Sequence, residues 1–391
     1  MKILKDTARD ICFFSTMPLE FGGGAEILAM QTANILARKK HTKVTIIVPK
    51  GNPFSERNTL HRTWDKLSFG TFITDQPRYT AEQVKVELGK ASYKRLSFWQ
   101  VIITLRRADY IITRSDMPSL LPIMLCFITN PGLRKKTLIQ FHTPLKYPVT
   151  KGFRLTLHNI VYTSFLYRFF LLVISSKLHV LNSTDKSYLK GASLIRIPCD
   201  PVFFESPRAN EHIGKKKTII IASRFTYQKG IDMLPALLKY LARKGYLDYV
   251  KFLLSGDGDM ERFVIESQKK YKNIQYVKRV DHRKMPTLLS KGNIFLTLSR
   301  WEGSSIAIAE AMAKGLPVVA FRVPGIYSKR GKRYISFVDP FDIKEMGNTL
   351  MRLTSLPREA FKKQADESLD FAKREYTMDI YIKKLETLLY R

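Results

Sequence analysis

Residues 294–321 read IFLTLSRWEGSSIAIAEAMAKGLPVVAF and carry the plainest indication of the fold. The apolar run Ile294 to Leu298 is typical of a strand buried on both faces of a parallel sheet. Ser304 or Ser305 is placed to cap a helix, which Gly315 closes before a second apolar run, PVVAF. The stretch is therefore predicted to be a strand–helix–strand unit of an α/β sheet.

The same alternation continues over a chain of 391 residues, which is long enough for two hydrophobic cores. A polar stretch without periodicity, Asp200 to Lys217, separates the two halves. We predict an α/β protein with doubly wound domains at residues 1–205 and 206–370, and a terminal helix at 371–391 packed across both. Further predicted strands are Ile11–Ser15, Val44–Val48, Tyr110–Thr113, Thr137–Phe141, Thr218–Ala222 and Lys251–Leu254, and predicted helices are Ala25–Arg38 and Ile231–Tyr240.

The formal net charge is +32, from 66 Lys and Arg against 34 Asp and Glu, and it favours polyanionic partners. No acidic residue occurs between Asp116 and Asp185. The three cysteines are scattered, which predicts neither a disulfide framework nor a metal site and fits a cytoplasmic compartment. The N-terminal MKILKDTARD lacks the apolar region of a secretory signal, and Leu120–Thr129 is too short to span a bilayer.

Ligands of open α/β sheets lie beyond the carboxyl ends of the strands, where helix N-termini bind phosphate. The loop Phe21–Glu26, FGGGAE, follows one predicted strand and either exposes backbone N–H groups to a phosphate or is simply a tight turn. Arg224 and Lys229 follow another strand. Their guanidinium and ammonium groups suit a diphosphate, although basic loop residues are often only solvated.

Three further side chains are candidate ligand contacts. Glu310 is the one acid in a helix of Ala, Ile and Met, where its carboxylate needs hydrogen-bond donors. Two vicinal ribose hydroxyls would supply them, unless Glu310 lies at a helix edge and meets solvent or a lysine. Glu302 precedes that helix and could reach a sugar, while His142, at a strand end, is either a substrate contact or a structural histidine.

Taken together, Glu302 and Glu310 resemble the E-x7-E signature of glycosyltransferase family 4. The glycine-rich loop, the R-x4-K-G spacing of Arg224 and Lys229, and the SGDG segment at 255–258 are similar to other motifs of that family. Asn273–Leu289 resembles its base-framing segment.

The resemblance implies the GT-B fold, two Rossmann-like domains with the active-site cleft between them and a C-terminal helix crossing back to the N-terminal domain. It also implies retaining transfer of a sugar from a nucleoside-diphosphate sugar, with no metal or other bound cofactor. The implied catalytic residues are Glu302, His142, Arg224 and Lys229. The implied donor-binding residues are Gly23, Gly24, Arg224, Lys229, Gly256, Arg279, Gly303, Ser304, Ser305 and Glu310.

Three positions depart from the family pattern. Pro198-Cys-Asp200 stands in place of N-G-x-D, and Lys278 or Arg279 occupies the position of a usual glycine in the base-framing loop. Ser304 stands where phenylalanine is common. The base and the sugar of the donor are therefore left open.

In this fold the N-terminal domain takes the acceptor. Two stretches there, Ala81–Arg107 and Lys151–Ser176, are predicted to be helical and mix apolar side chains with cations. We expect them to bind an anionic membrane surface, with peripheral association at its inner face and a lipid-linked or anionic glycan as acceptor. Side chains expected at that interface are Phe98, Trp99, Phe169 and Phe170, unless these helices are core.

Two other functions remain possible from the residues. One is a different GT-B-like sugar-nucleotide enzyme, such as an epimerase. The other is a basic nucleic-acid-binding protein, which only the net charge supports, because no zinc-finger, RRM or recognition-helix pattern is present. We therefore expect no nucleic acid among the partners.

Overall fold

The computed structural model describes residues 9–15, 24–49, 69–72, 94–142, 144–147, 153–209, 216–328 and 330–391, and elements are numbered over these residues. Their strands form two sheets. The strands of the first sheet are β1 Arg9–Phe14, β2 Thr42–Pro49, β3 Phe69–Phe72, β4 Lys94–Leu96, β5 Tyr110–Arg114, β6 Thr137–Phe141, β7 Lys177–Val180 and β8 Ser193–Leu194. Those of the second are β9 Lys217–Ala222, β10 Val250–Ser255, β11 Ile274–Val277, β12 Ile294–Thr297, β13 Val318–Phe321 and β14 Ile335–Val338.

Helices connect most of the parallel strands. In the first half they are α1 Gly24–Ala37, α2 Phe98–Arg107, α3 Met117–Thr129, α4 Leu133–Lys136, α5 Phe153–Thr163, α6 Phe165–Ile174, α7 Ser183–Tyr188 and α8 Val202–Glu205. In the second half they are α9 Leu234–Arg243, α10 Glu261–Lys270, α11 Met285–Ser290, α12 Ile306–Ala313, α13 Ile343–Thr354, α14 Arg358–Glu375 and α15 Met378–Leu389.

Both sheets reverse their strand order near the middle. The first has the order β4-β3-β2-β1-β5-β6-β7-β8 and is parallel except where β3 pairs with β2 and β4. The second has the order β11-β10-β9-β12-β13-β14 and is parallel throughout. Loops after β9 and β12 therefore flank a crevice at the carboxyl edge of the second sheet, where ligands of such folds bind.

The C-terminal helix returns to the first sheet. Tyr381 and Leu385 of α15 are buried in one core with Leu28 of α1 and Val44 of β2. Because an amphipathic helix must bury its apolar face, this contact closes a side of the first sheet that would otherwise be exposed. The predicted domain limits, at residues 205 and 370, stay a proposal.

All six predicted strands between residues 11 and 254, and both strands of the opening stretch, are confirmed within one or two residues. The predicted helix at 231–240 begins instead as a 3₁₀ turn, Ile231–Met233, before α9. The prediction of helix over 81–107 is wrong for Lys94–Leu96, which pairs with β3 as a strand, and residues 81–93 lie outside the described ranges.

Two other predicted helices are each divided in the structure. The 151–176 stretch forms α5 and α6, because Ser164 accepts a hydrogen bond from the Tyr167 N–H and begins a new helix. The C-terminal stretch is divided between α14 and α15. Within the described residues no single helix is long and apolar enough to cross a bilayer, whereas Thr156–Thr163 with Phe165–Ile174, bent by 53°, passes that test as a pair.

Candidate functional site

The loops after β9 and β12 lie side by side at the crevice of the second sheet. The Arg300 N–H donates to the Gln228 carbonyl oxygen at 2.8 Å, and Gln228 Nε2 donates to the Trp301 carbonyl oxygen at 3.1 Å. Gly230 has φ +67°, and a Cβ added there would lie 2.0 Å from the Leu298 carbonyl oxygen. The close approach of the two loops therefore requires glycine at this position.

Glu302 and Lys229 are paired in the base of this crevice. Lys229 Nζ lies 2.7 Å from Oε1 and 2.8 Å from Oε2 of Glu302, and Ser299 Oγ donates to Oε1 at 2.7 Å. The Glu302 N–H donates to the Pro324 carbonyl oxygen at 3.0 Å, so the backbone of the loop is held as well. Two of the four implied catalytic residues therefore lie at one place, and the buried carboxylate is compensated by the ammonium group.

Arg300 organises the turn that carries Lys229, and its role was missed in the sequence. Its guanidinium donates two hydrogen bonds of 2.7 Å to the Asp232 carboxylate and one of 2.7 Å to the Tyr227 carbonyl oxygen. It also lies 3.9 Å from the centre of the Tyr227 ring. Hydrogen bonding within the pair lowers the pKa of Asp232 and raises that of Arg300. Both residues are visible in the sequence, but nothing in their spacing pairs them.

Glu310 has a histidine partner. His282 Nε2 lies 2.9 Å from Glu310 Oε1, and the helix around Glu310 is buried. Burial raises the pKa of Glu310, and the hydrogen bond to Glu310 raises the pKa of His282. The inference that Glu310 needs hydroxyl partners is therefore corrected, because an imidazole within the protein already supplies one hydrogen-bond donor to its carboxylate. His282 was missed, although it lies inside Asn273–Leu289, which resembles the base-framing segment.

Two glycines bring the loop after β10 against the loop after β9. Gly256 and Gly258 have φ of +152° and +148°, and added Cβ atoms would lie 1.9 Å and 2.4 Å from carbonyl oxygens of Ser223 and Phe225. Arg224, between those two residues, is exposed, and its side chain makes no hydrogen bond or ion pair with a described residue. A cation is thus presented at the mouth of the crevice.

His142 faces the second domain across the cleft. A Cβ added at Gly303 would lie 2.9 Å from the His142 carbonyl oxygen. Asn182 Nδ2 donates to the Gly303 carbonyl oxygen at 3.0 Å and to Asp185 Oδ2 at 2.7 Å. Nδ1 of His142 is buried without a partner among the described residues. Burial, with the charges of Arg114 and His179, lowers the pKa of His142 well below its usual value and so favours the neutral imidazole.

Aromatic side chains form a wall beside the cleft. Trp301 lies with its ring centre 5.8 Å from that of Tyr147 in the first domain and 6.2 Å from that of Tyr227 in the second. Tyr147 in turn lies 4.8 Å from His158 of α5. These contacts join the helix pair α5–α6 to the loop that carries Glu302.

The remaining predicted residues are placed less tightly. Ser304 and Ser305 are partly buried, and Ser305 is the N-cap of α12, but the predicted capping hydrogen bond is not formed. Arg279 is exposed at the end of β11. Gly24 begins α1 in the first sheet, whereas Gly23 lies outside the described residues. Among the side chains that the structure describes, no group of three or more His, Cys, Asp or Glu is placed to hold a metal ion.

The loops that flank the crevice of the second sheet lie within the residues that match a family profile. Residues 202–368 match the family profile of glycosyl transferases group 1. The chain is 31% identical over 151 residues to one component of human phosphatidylinositol N-acetylglucosaminyltransferase, a match that covers 38% of this chain and 30% of that protein. It is 31% identical over 127 residues to glycogen synthase of Elusimicrobium minutum, covering 32% and 25%. The matched segments span a quarter to a third of these relatives.

A solved structure resembles the whole chain. Sucrose-phosphate synthase from Thermosynechococcus elongatus superposes with a TM-score of 0.66 at 16% identity, over 98% of both chains. Together with the two doubly wound sheets and the returning C-terminal helix, this likeness confirms the GT-B fold.

Proposed function

We propose that the chain is a retaining, metal-independent glycosyltransferase of family 4, which moves a sugar from a nucleoside-diphosphate sugar to an acceptor. The observation that carries the proposal is that Arg224, the Lys229–Glu302 pair and the His282–Glu310 pair all follow strands at the carboxyl edge of the second sheet. Their positions, beyond the carboxyl ends of a parallel sheet, are those at which nucleotides bind in such folds.

The proposed role of each residue follows from its charge and from its position in the cleft. Arg224 and Lys229 stabilise the negative charge that develops on the leaving diphosphate, so that two fixed cations act in place of a divalent metal. Glu310 accepts hydrogen bonds from the ribose, and Glu302 contacts the donor sugar while its pairing orients Lys229. His142 lies on the opposite wall, with its backbone beside Gly303, and is proposed to contact the donor sugar from that side. Retention is accounted for when the leaving phosphate deprotonates an acceptor that attacks from the same face.

Other predicted donor contacts supply backbone N–H groups. Gly303, Ser304 and Ser305 lead into the N-terminus of α12, where orphan N–H groups and the helix dipole favour a phosphate. Gly256 belongs to the loop beside Arg224, and Arg279 lies within the base-framing segment, just after β11. Gly24 begins α1 in the first domain, and it stays a predicted donor contact together with Gly23, which lies outside the described residues.

A donor screen tests this proposal. UDP-, GDP- and ADP-sugars are compared by thermal shift, and one of them is expected to raise the melting temperature, because a ligand bound only by the folded state stabilises it. Glu310→Ala should lose that shift, whereas Glu266→Ala, which removes an exposed acid of α10, should keep it. If none of the sugar nucleotides shifts the wild-type protein, the proposal is wrong. Metal independence is tested by measuring transfer in the presence of EDTA. Retention is tested by determining the anomeric configuration of the product.

The acceptor is proposed to be a lipid-linked or anionic glycan, reached at a membrane. Four helices of the first domain, α2, α3, α5 and α6, expose large apolar side chains to solvent. The exposed residues are Phe98, Trp99, Ile103, Met117, Leu121, Leu125, Ile128, Leu157, Ile160, Val161, Phe165, Leu166, Phe169 and Leu172. We call these residues the apolar face. Soluble surfaces rarely leave so many large apolar groups together, and such faces bind proteins or membranes.

The basic surroundings of the apolar face favour an anionic bilayer as its partner. Arg106 and Arg107 end α2, Arg134 and Lys135 follow α3, and all four are exposed. Each cation near an anionic surface contributes about 1 kcal/mol of attraction, and aromatic groups sit well at the headgroup level. The alternative that Phe98, Trp99 and Phe169 are core is wrong, since their exposed fractions are 42%, 71% and 57%. Phe170 is partly buried. The similarity to a transferase named for a phosphatidylinositol acceptor also supports a lipid-linked one.

Vesicle binding tests the membrane assignment, which would place the protein in the cytoplasm at the inner face of the membrane. Co-sedimentation with vesicles of phosphatidylcholine alone, or with phosphatidylglycerol added, should show binding only to the anionic vesicles and release by salt. Phe165→Ser with Leu166→Ser should abolish binding, because these side chains are 74% and 76% exposed at the α5–α6 corner. Phe341→Ser, at an exposed position of the second domain, is the matched control. Equal binding of both vesicle types would contradict the proposal.

A further inference from the structure

His282 lies at the rim of the crevice, on a turn that a local hydrogen bond stabilises. It begins the 3₁₀ turn His282–Lys284 between β11 and α11, and the Asp281 carboxylate accepts a hydrogen bond from the Arg283 N–H at 2.9 Å. The imidazole packs edge-on against Phe203, with ring centres 5.3 Å apart. About two fifths of the side chain is exposed, so it lies between the buried Glu310 and solvent.

Among the influences on Glu310, burial and Asp200 oppose its ionisation, and only His282 favours it. Burial and the negative charge of Asp200 raise the pKa of Glu310, whereas the hydrogen bond and charge of His282 lower it. Cys199 is also buried beside this group, and burial raises the pKa of its thiol well above the usual value. Without His282 the carboxyl group would therefore be driven toward its neutral form, which is a poorer acceptor.

The hydrogen bond from His282 leaves most of the accepting capacity of Glu310 unused. It occupies one lone pair of Oε1, and Oε2 makes no hydrogen bond with a described residue. An ionised carboxylate accepts up to about four hydrogen bonds. Both oxygens therefore remain able to accept from a pair of neighbouring hydroxyl groups.

We propose that His282 is a positioning residue for the nucleotide, which holds Glu310 ionised and oriented so that its carboxylate accepts hydrogen bonds from the vicinal hydroxyls of a ribose. The inference rests on the proposed function, because it assigns part of the same donor site. It goes further in predicting that recognition of the ribose depends on a residue that does not itself touch the ligand.

The test compares each nucleoside diphosphate with its 2′-deoxy form, using UDP, GDP and ADP in titration calorimetry. Wild-type protein should bind the ribose form of its preferred nucleotide about tenfold more tightly, as one hydrogen bond to a charged group gives. His282→Phe keeps the ring contact with Phe203 but has no donor, and it should reduce that ratio to about twofold or less. His282→Gln keeps a neutral donor and should give an intermediate ratio, and Lys284→Ala, which removes a cation from the same turn, should keep the wild-type ratio.

A change in pH separates positioning from a merely structural role. The wild-type ratio should fall as pH rises through the raised pKa of His282, because the imidazolium loses its charge. The charged groups that face His282 are Glu310, Asp200 and Asp281, and none of them is altered in His282→Gln. That variant should show no such step.

The outcomes distinguish this inference from the function on which it rests. If wild-type protein binds no nucleoside diphosphate, the proposed function fails and the role of His282 fails with it. If wild type binds and Glu310→Ala loses the discrimination, but folded His282→Phe and His282→Gln both keep the full ratio, only the role of His282 is overturned.

Discussion

The ion pair between Arg300 and Asp232 allows a quantitative test of how the crevice is held together. Arg300→Met leaves the Asp232 carboxylate unpaired and removes the hydrogen bond to the Tyr227 carbonyl oxygen. Removing one partner of a buried pair costs about 3–5 kcal/mol. The Asp232 side chain is 24% exposed, so that water replaces part of the lost interaction, and we expect a loss of about 2–3 kcal/mol.

The double variant separates the pair from its two members. Asp232→Leu leaves a guanidinium that is only 10% exposed, and it should cost about 3 kcal/mol. Arg300→Met combined with Asp232→Leu leaves no unpaired charge and should cost clearly less than the sum of the single changes. Because Lys229 lies on the turn that Arg300 holds, all three variants should also weaken donor binding.

The assay is urea unfolding of each variant, with the free energy of unfolding and the slope reported for the transition of the second domain. Arg322→Met is the matched control, because the side chains of Arg322 and its partner Asp339 are 48% and 65% exposed. It should cost less than about 1 kcal/mol. The reasoning is refuted if the double variant loses the full sum of the single losses, or if the exposed control costs as much as Arg300→Met.

Two further predictions concern stability. Gly230→Ala should cost at least about 2 kcal/mol more than Gly245→Ala in the same unfolding assay. Both glycines have nearly the same positive φ, but only at Gly230 does an added Cβ meet a backbone oxygen, that of Leu298. Equal losses would contradict the steric argument. Burial lowers the pKa of His179 from 6.5 to about 4, so the unfolded chain takes up a proton between these values that the folded chain does not. The contribution of His179 to stability is therefore lost as pH falls from 6.5 to 4, and the loss is about 3 kcal/mol. The free energy of unfolding of wild type should decrease by this amount relative to that of His179→Gln over the same pH range.

Secondary structure was predictable wherever a strand is a continuous apolar run. The prediction of secondary structure failed where a strand partner distant in the sequence, or one local hydrogen bond, determines the structure. Lys94–Leu96 is polar and lies beside a helical pattern, and it becomes a strand because β3 offers it an unpaired edge. Ser164 looks like any polar residue within a helix, yet its side chain accepts from the Tyr167 N–H and divides the stretch.

Local order along the chain was enough to place glycines, cations and acids at the ends of strands, and therefore to indicate a crevice with Arg224, Lys229, Glu302 and Glu310 near it. This worked because alternation of apolar runs and turn residues reports each βα unit by itself. Spacing along the chain shows which charged residues lie near the strand ends. It does not show which of them pair with one another in the folded protein.

Only the tertiary structure determines which of these charged residues pair with one another. Lys229 meets Glu302, and Arg300 meets Asp232, because β9 and β12 are neighbours at the point where the sheet reverses its strand order. His282 meets Glu310 because the segment after β11 crosses the carboxyl edge on its way to α11. These pairs join segments that follow different strands, and the distance between such segments depends on strand order rather than on separation along the chain.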